Sequence, residues 1–346
     1  MGRRFLWASL ALAPLTIAYH FVLEPSDTVD FVLSALSLIP LAWLIGEATE
    51  HAAHHTGPGI GGFLNATFGN APELIISLFA VGEEKFDVVR GSLSGSVIGN
   101  LLLVLGFSFL FGGSGDLDRR SSFSSLGLVA LAVVLFLVPA VPAFHGDPER
   151  HSVAELSIAP AIVLLLVYLG VTGASLRRHR ELHLSAAPTA TEAWPLPVAV
   201  VALGAATAVT ALVAEILVGS IDTFADNAGL SEFFVAAIIV AIVGNAAEHG
   251  GAVVVAARGK IKLAAEIALA SSAQVAVFLI PAVALLAWAI EPLALSFRPP
   301  ELIAVGVSVA LAAALIADGR SSRLRGGALV AAYAGVAIAF LIVGDR

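Results

Sequence analysis

Cysteine is absent from the 346-residue chain. Disulfides, thiolate catalysis and cysteine-ligated zinc or iron–sulfur centres are therefore excluded. Charge is scarce as well. Lys, Arg, Asp and Glu make up 13% of the residues, against roughly 25% in a soluble globular domain. So few charges cannot coat a water-soluble body of this length, and disorder is excluded too, because it needs low hydrophobicity and high charge. Basic residues are the scarcer sign, 18 against 26 acidic, for a net charge of −8. No basic surface offers itself to nucleic acid. What the chain has in excess is apolar surface: 58% of its residues are hydrophobic, and the mean hydropathy is +0.95. That combination specifies an all-α polytopic membrane protein.

A spanning helix needs about 20 mostly apolar residues. Eleven stretches qualify: Phe5–Leu23, Val29–Glu50, Ile60–Val81, Val88–Phe111, Phe123–Val141, Val153–Ser175, Leu196–Ile221, Phe233–Ala257, Leu263–Ile290, Leu302–Ala317 and Gly327–Val343. The connections are short and rich in Gly, Pro, Asp, Ser and Arg, so residues 1–346 read as one membrane transport domain. The first apolar stretch is longer than a secretory h-region and no small-x-small cleavage site follows it, so it reads as a retained helix. With the N-terminus inside, 13 Lys and Arg fall in inner segments and five in outer ones. This is the positive-inside bias, and it places the N-terminus in the cytoplasm. The expected setting is a prokaryotic cell membrane, and assembly as a homo-oligomer is open.

The sequence repeats itself. Gly69-Asn70-Ala71-Pro72-Glu73 in the third apolar stretch matches Gly244-Asn245-Ala246-Ala247-Glu248 in the eighth, at an offset of 175 residues. Glu50 and Glu215 occupy the helices before, offset by 165, and Asn100 and Gln274 the helices after, offset by 174. The two copies lie five helices apart, an odd number, so they cross the membrane in opposite directions. Inverted repeats with a midplane site between them mark secondary transporters. The expected organisation is an extra N-terminal helix (1–27), a first five-helix repeat (28–176), an inter-repeat loop (177–194) and a second five-helix repeat (195–346).

Six carboxylates, Glu47, Glu50, Glu73, Glu215, Glu248 and Glu266, fall within or near the ends of apolar stretches. A charged side chain at the bilayer centre costs about 2.5 kcal/mol or more. Glu73 and Glu248 are the most central, and no Lys or Arg lies deep in a span to balance them. Protons or a cation must then supply the countercharge. Asn70 shares a helix face with Glu73, and Asn245 with Glu248. Gly69 and Gly244 permit unusual backbone angles, and Pro72 removes a donor. A helix break would free carbonyl oxygens beside the carboxylates. An all-oxygen set suits a hard, flexibly coordinated cation such as Ca²⁺. Protons and cation would compete for the same oxygens, which is the physical requirement for exchange. His249, next to Glu248, could tune its proton affinity.

At these residues the chain resembles the calcium/proton antiporters (the CAX family) of the cation/calcium exchanger superfamily. Residues 61–76, GGFLNATFGNAPELII, look like their first signature and 243–249, VGNAAEH, like their second; 91–100, GSLSGSVIGN, match the helix after the first. The resemblance spans nearly the whole chain. It implies two inverted five-helix repeats after an extra helix, no cofactor, and alternate binding of Ca²⁺ and H⁺ by Glu73 and Glu248. It further implies that Asn70, Asn245, Ser96, Asn100, Ser271 and Gln274 are the polar positions around the metal, and that Glu50 and Glu215 are acidic positions on gating helices. Two features depart from the pattern. The inter-repeat segment Arg177-Arg178-His179-Arg180-Glu181-Leu182-His183 is basic where some members are acidic, and Pro72 replaces Thr or Val.

Two other readings compete. One is exchange of another cation, Na⁺ or Mn²⁺. The other is a membrane di-iron oxidase, since His51-x-x-His54-His55 and His179-x-x-x-His183 fit two of its histidine boxes. Imidazole suits iron, but the remaining histidines supply no further box. The simpler reading makes His51, His54 and His55 a solvated cap on the second helix.

Overall fold

In a computed structural model of the chain, the described residues are 2–23, 26–182 and 194–344. Helices account for nearly all of them. The first half contains α1 (Gly2–Ser9), α2 (Leu12–Leu23), α3 (Asp27–Phe68), α4 (Ala71–Gly82), α5 (Phe86–Ile98), a π-helical turn π1 (Gly99–Val104), α6 (Leu105–Gly112), a short strand β1 (Gly115–Asp116), α7 (Arg119–Ala143) and α8 (His151–Leu182). The second half contains α9 (Leu196–Gly219), α10 (Ile221–Ala228), α11 (Glu232–Phe234), π2 (Val235–Val240), α12 (Ala241–Gly244), α13 (Ala246–Ala257), α14 (Ile261–Gln274), π3 (Val275–Leu279), α15 (Ile280–Ala287), α16 (Pro299–Leu315), β2 (Arg320–Ser321) and α17 (Arg323–Val343).

Helix is the form that satisfies every backbone group internally, as a lipid solvent demands. Among the described residues, eight helices are long and apolar enough to cross a bilayer. The pair Ile221–Ala228 and Glu232–Gly244, bent by 107°, and the shorter apolar helices Ala71–Gly82 and Pro299–Leu315 account for the other three stretches. Side-chain caps set several starts: Asp118 accepts from the Ser121 N–H, Ser231 from Phe234 and Ser322 from Arg325. Just before α17, Asp318 receives both Arg325 guanidinium nitrogens at 2.6 and 2.7 Å. Those hydrogen bonds pull its carboxyl down to about 2.

The structure corrects the boundaries at one place. Sequence puts a connection at 51–59 between the second and third apolar stretches, but α3 runs unbroken from Asp27 to Phe68. The break comes later, at Gly69–Asn70. Tertiary contact explains the extension. The His51 ring stacks on the Trp194 indole at 4.5 Å, His55 Nε2 donates to the Trp194 carbonyl at 2.7 Å, and Glu47 lies 3.4 Å from His51. Trp7 adds edge and tilted contacts to Trp43 and Trp194. His51 and His55 thus also serve as docking residues; His54 and His55 are exposed, as expected of a solvated cap, whereas His51 is half-buried.

Arg90 is the most deeply buried arginine among the described residues. At 1% exposure, it sits 2.7 Å from both Asp87 and Glu149 and donates to Ser296 Oγ and the Ala294 carbonyl. Those acceptors belong to a non-helical stretch before α16 whose residues Leu293, Ala294, Leu295 and Phe297 are buried. Ser157 Oγ accepts from the Leu295 N–H at 2.9 Å. Irregular backbone is tolerated at such depth only when its polar groups are met in this way. Arg90 is therefore committed to this strap and to its own acidic partners.

Candidate functional site

The two signatures fold alike because each carries the same break. Asn70 caps the start of α4 with φ −101° and ψ 16°, and Asn245 caps the start of α13 with φ −93° and ψ 4°. Both lie in the sparsely populated bridge region, a setting often found at active sites. The new helices restart at once: the Leu74 N–H bonds the Asn70 carbonyl at 3.0 Å and the His249 N–H bonds the Asn245 carbonyl at 2.9 Å. Glu73 and Glu248 fall in the first turns of α4 and α13, where the helix dipole favours a carboxylate.

Glycine matters here for a reason the sequence did not disclose. Neither Gly69 nor Gly244 has a positive φ. A Cβ on Gly244 would instead lie 3.3 Å from Glu73 Cγ and 3.6 Å from its Cδ and Oε1. The missing side chain lets Glu73 of the first signature lie against the backbone of the second.

Hydroxyls and amides from the following helices complete the cluster. Asn245 Nδ2 donates to Ser96 Oγ at 2.8 Å and to the Ala241 carbonyl at 2.9 Å. Ser271 Oγ donates to Glu248 Oε2 at 2.5 Å and accepts from Asn100 Nδ2 at 3.1 Å. Asn100 lies in π1, and π3 begins directly after Gln274. These π turns sit at repeat-related positions, and such insertions concentrate at functional sites. Glu73 Oε2 and Asn245 Oδ1 are buried without a hydrogen-bond donor. Among the described residues no Lys or Arg pairs with Glu73 or Glu248. The result is a cluster of oxygen atoms, two of its members carboxyl groups, mostly buried and supplied by both repeats, with Glu248 half-buried.

Other expected residues are placed differently. Glu50 and Glu215 are exposed on α3 and α9 rather than in the cluster. The His249 ring faces Gly99, whose added Cβ would lie 3.9 Å from His249 Cε1. Gln274 lies near the Tyr168 side chain of α8. Tyr168, 6% exposed and packed at 4.9 Å against Phe278, was missed from sequence. A lone tyrosine in an apolar stretch, needing a partner for its hydroxyl, was the available signal. Among the described residues the histidines form no shared metal site. His51 and His55 are held by Trp194, the His179 side chain and His183 lie outside the described residues, and among the described residues no group of three or more His, Asp or Glu could hold a metal.

Two broken helices, related by an inverted repeat and each presenting a carboxylate to a shared buried site, define an ion-coupled secondary transporter. Residues 27–177 and 198–342 match the family described as sodium/calcium exchanger protein. The chain belongs to that family. It is 39% identical over 354 residues to the Ca²⁺/H⁺ antiporter ChaA of Bacillus subtilis, covering 99% of this chain and all of the relative. It is 37% identical over 360 residues to a Ca²⁺/H⁺ antiporter of Synechocystis, covering 96% and 95%. The solved structure of native YfkE superposes with a TM-score of 0.83 at 37% identity, over 97% of this chain and 99% of that one.

Proposed function

We propose that the chain is a multi-pass secondary antiporter that exchanges Ca²⁺ for H⁺ by alternating access, with no cofactor. One observation carries the reading: repeat-related Glu73 and Glu248 open two half-helices onto one buried, oxygen-lined cluster with no basic counter-ion among the described residues. Similarity along nearly the full length to proteins named Ca²⁺/H⁺ antiporters supports it. Glu73 and Glu248 bind the cation and the protons in turn. Asn70, Asn245, Ser96, Asn100 and Ser271 serve as ligands or hold them, and Gln274 acts from the Tyr168 side. His249 borders the site. Glu50 and Glu215 ride on the helices that gate it.

The organisation proposed is an extra N-terminal helix over 1–27, repeats over 28–176 and 195–346, and a joining segment over 177–194, which the two matched stretches support. The N-terminus lies in the cytoplasm, on the side richer in Lys and Arg, in a prokaryotic cell membrane.

In proteoliposomes with an imposed pH gradient, radioactive calcium uptake should follow the gradient and stop when an ionophore collapses it. Uptake indifferent to the gradient overturns the exchange reading. A competition series with Mn²⁺, Na⁺ and K⁺ tests selectivity, and Ca²⁺ should be displaced by Mn²⁺ before either monovalent ion, because two carboxylates favour divalent charge. Ser271→Ala removes the hydroxyl between Glu248 and Asn100. A hydrogen bond to a charged group is worth about 1.5–3 kcal/mol, so half-maximal uptake should need upwards of about tenfold more Ca²⁺. An unchanged Ca²⁺ dependence would remove Ser271 from the ligand set.

A further inference from the structure

The two repeats carry the same lysine at the same turn. Lys85 caps the N-terminus of α5 with φ −84° and ψ 62°, and Lys260 caps α14 with φ −98° and ψ 53°. Each follows a left-handed residue, Glu84 at φ 56° and Gly259 at φ 80°. Each donates its backbone N–H five residues back, to Ala80 at 2.8 Å and to Val255 at 3.2 Å. The offset is 175 residues, as at the carboxylates. The inverted repeat puts these lysines at opposite ends of the path through the site.

Their surroundings differ. Lys85 Nζ is bonded to both carboxylate oxygens of Asp222, in the first turn of α10, and lies 3.9 Å from Glu83. Its side chain is 13% exposed. Burial, with Asp222 and Glu215 close by, pushes the Glu83 carboxyl up against the pull of Lys85. Lys260 is exposed and has no ion pair among the described residues.

Packing shows the same asymmetry. At Gly95 a Cβ would come within 2.0 Å of the Ala237 carbonyl oxygen, so α5 and π2 touch backbone to backbone. The repeat-related residue on α14, Ala270, is exposed. Asp222 also belongs to a unit distinct from Lys85. Thr223 donates to Asp27 at 2.7 Å, Asn227 to Thr28 at 2.9 Å, and Phe224 stacks on Phe31 at 4.1 Å. α10 is thereby fastened to the start of α3, whereas Lys85 belongs to the α4–α5 corner that carries Glu73.

We propose that Lys85 and Asp222 are a one-sided ionic latch: they hold the Lys85 end of the path shut by tying the α4–α5 corner to the α3–α9–α10 unit, whereas Lys260 of the second repeat has no such partner among the described residues. The inference rests on the alternating-access reading above. Opening the Lys85 end requires the pair to separate, so the protein rests closed on that side and open on the Lys260 side.

The cysteine-free chain suits a direct test. Ser77 is buried, one turn beyond Glu73 toward Lys85. A Ser77→Cys reporter in proteoliposomes is labelled with a membrane-impermeant maleimide from the face bearing Lys85. Labelling should be slow in the reporter alone, rise roughly fivefold with Asp222→Asn, as expected for loss of a partly exposed ion pair, and fall back with the swap Lys85→Asp/Asp222→Lys. An unchanged rate in Asp222→Asn, or a swap that stays fast, overturns the latch. Proton-driven uptake by the unmodified chain is measured in parallel. Its absence counts against the exchange reading. Intact uptake with unchanged labelling counts against the latch alone.

Discussion

Glu73→Gln and Glu248→Gln should each reduce proton-driven Ca²⁺ uptake by a factor of about 100 or more, corresponding to about 3 kcal/mol of lost cation stabilisation. Glutamine keeps the volume and one acceptor oxygen but removes the negative charge and the titratable proton. Both halves of the exchange fail together, because the same oxygens hold the cation and the protons. The substitutions should leave the fold intact. Glu73 Oε2 has no donor to lose, and Ser271 can still donate to the amide oxygen that takes the place of Glu248 Oε2. Normal chromatographic behaviour in detergent with uptake lost is the expected pair of results. Either variant retaining more than about a tenth of gradient-dependent uptake would contradict the shared-site mechanism.

Gly95→Ala should be the most damaging single methyl addition among the glycines described. The new Cβ would lie 2.0 Å from the Ala237 carbonyl oxygen, 2.7 Å from its carbonyl carbon and 2.8 Å from its Cα. All three are backbone atoms, so no side-chain rotation relieves the clash. α5 and π2 must separate, and with them Ser96 and Asn245, whose 2.8 Å hydrogen bond crosses this contact. Overpacking in a well-packed interior costs about 1–3 kcal/mol, and the rigidity of the opposing backbone puts this variant at the upper end. The expected outcome is a clear fall in thermal unfolding temperature in detergent, with uptake lost in the protein that remains. Gly127→Ala and Gly204→Ala, where nothing lies within 4 Å of the added carbon, are the controls and should change little. A Gly95→Ala variant as stable as these controls would show that the two helices are not in backbone contact.

Much of this was written in the one-dimensional pattern. A membrane penalises buried carboxylates unless they are matched, and so the apolar stretches by themselves single out Glu73 and Glu248. Their duplication at a constant offset, an odd number of helices apart, dictated the inverted arrangement before any coordinates. The helix break was also legible, since Asn70 and Asn245 each follow a glycine and Pro72 weakens the ladder after the first. Partner choice was not legible. Ser96 and Ser271 are repeat-related, yet Ser96 accepts from an asparagine while Ser271 donates to a carboxylate. Equal sequences meet unequal surroundings because each copy packs against different neighbours. The His51 and His55 pair reads as polar surface until Trp194, more than a hundred residues away, closes on it.

By itself the sequence determined that this is a helical membrane protein with two oppositely oriented copies of a carboxylate-bearing break, because hydropathy, charge and repeat spacing are properties of the chain alone. Tertiary structure decided which oxygens meet, why Gly244 must be small, how far α3 extends, and that Lys85 has an ion-pair partner where Lys260 has none among the described residues. Those outcomes depend on distances between residues remote in the chain, and the offset that relates the repeats carries no information about which face of one helix is pressed against which face of another.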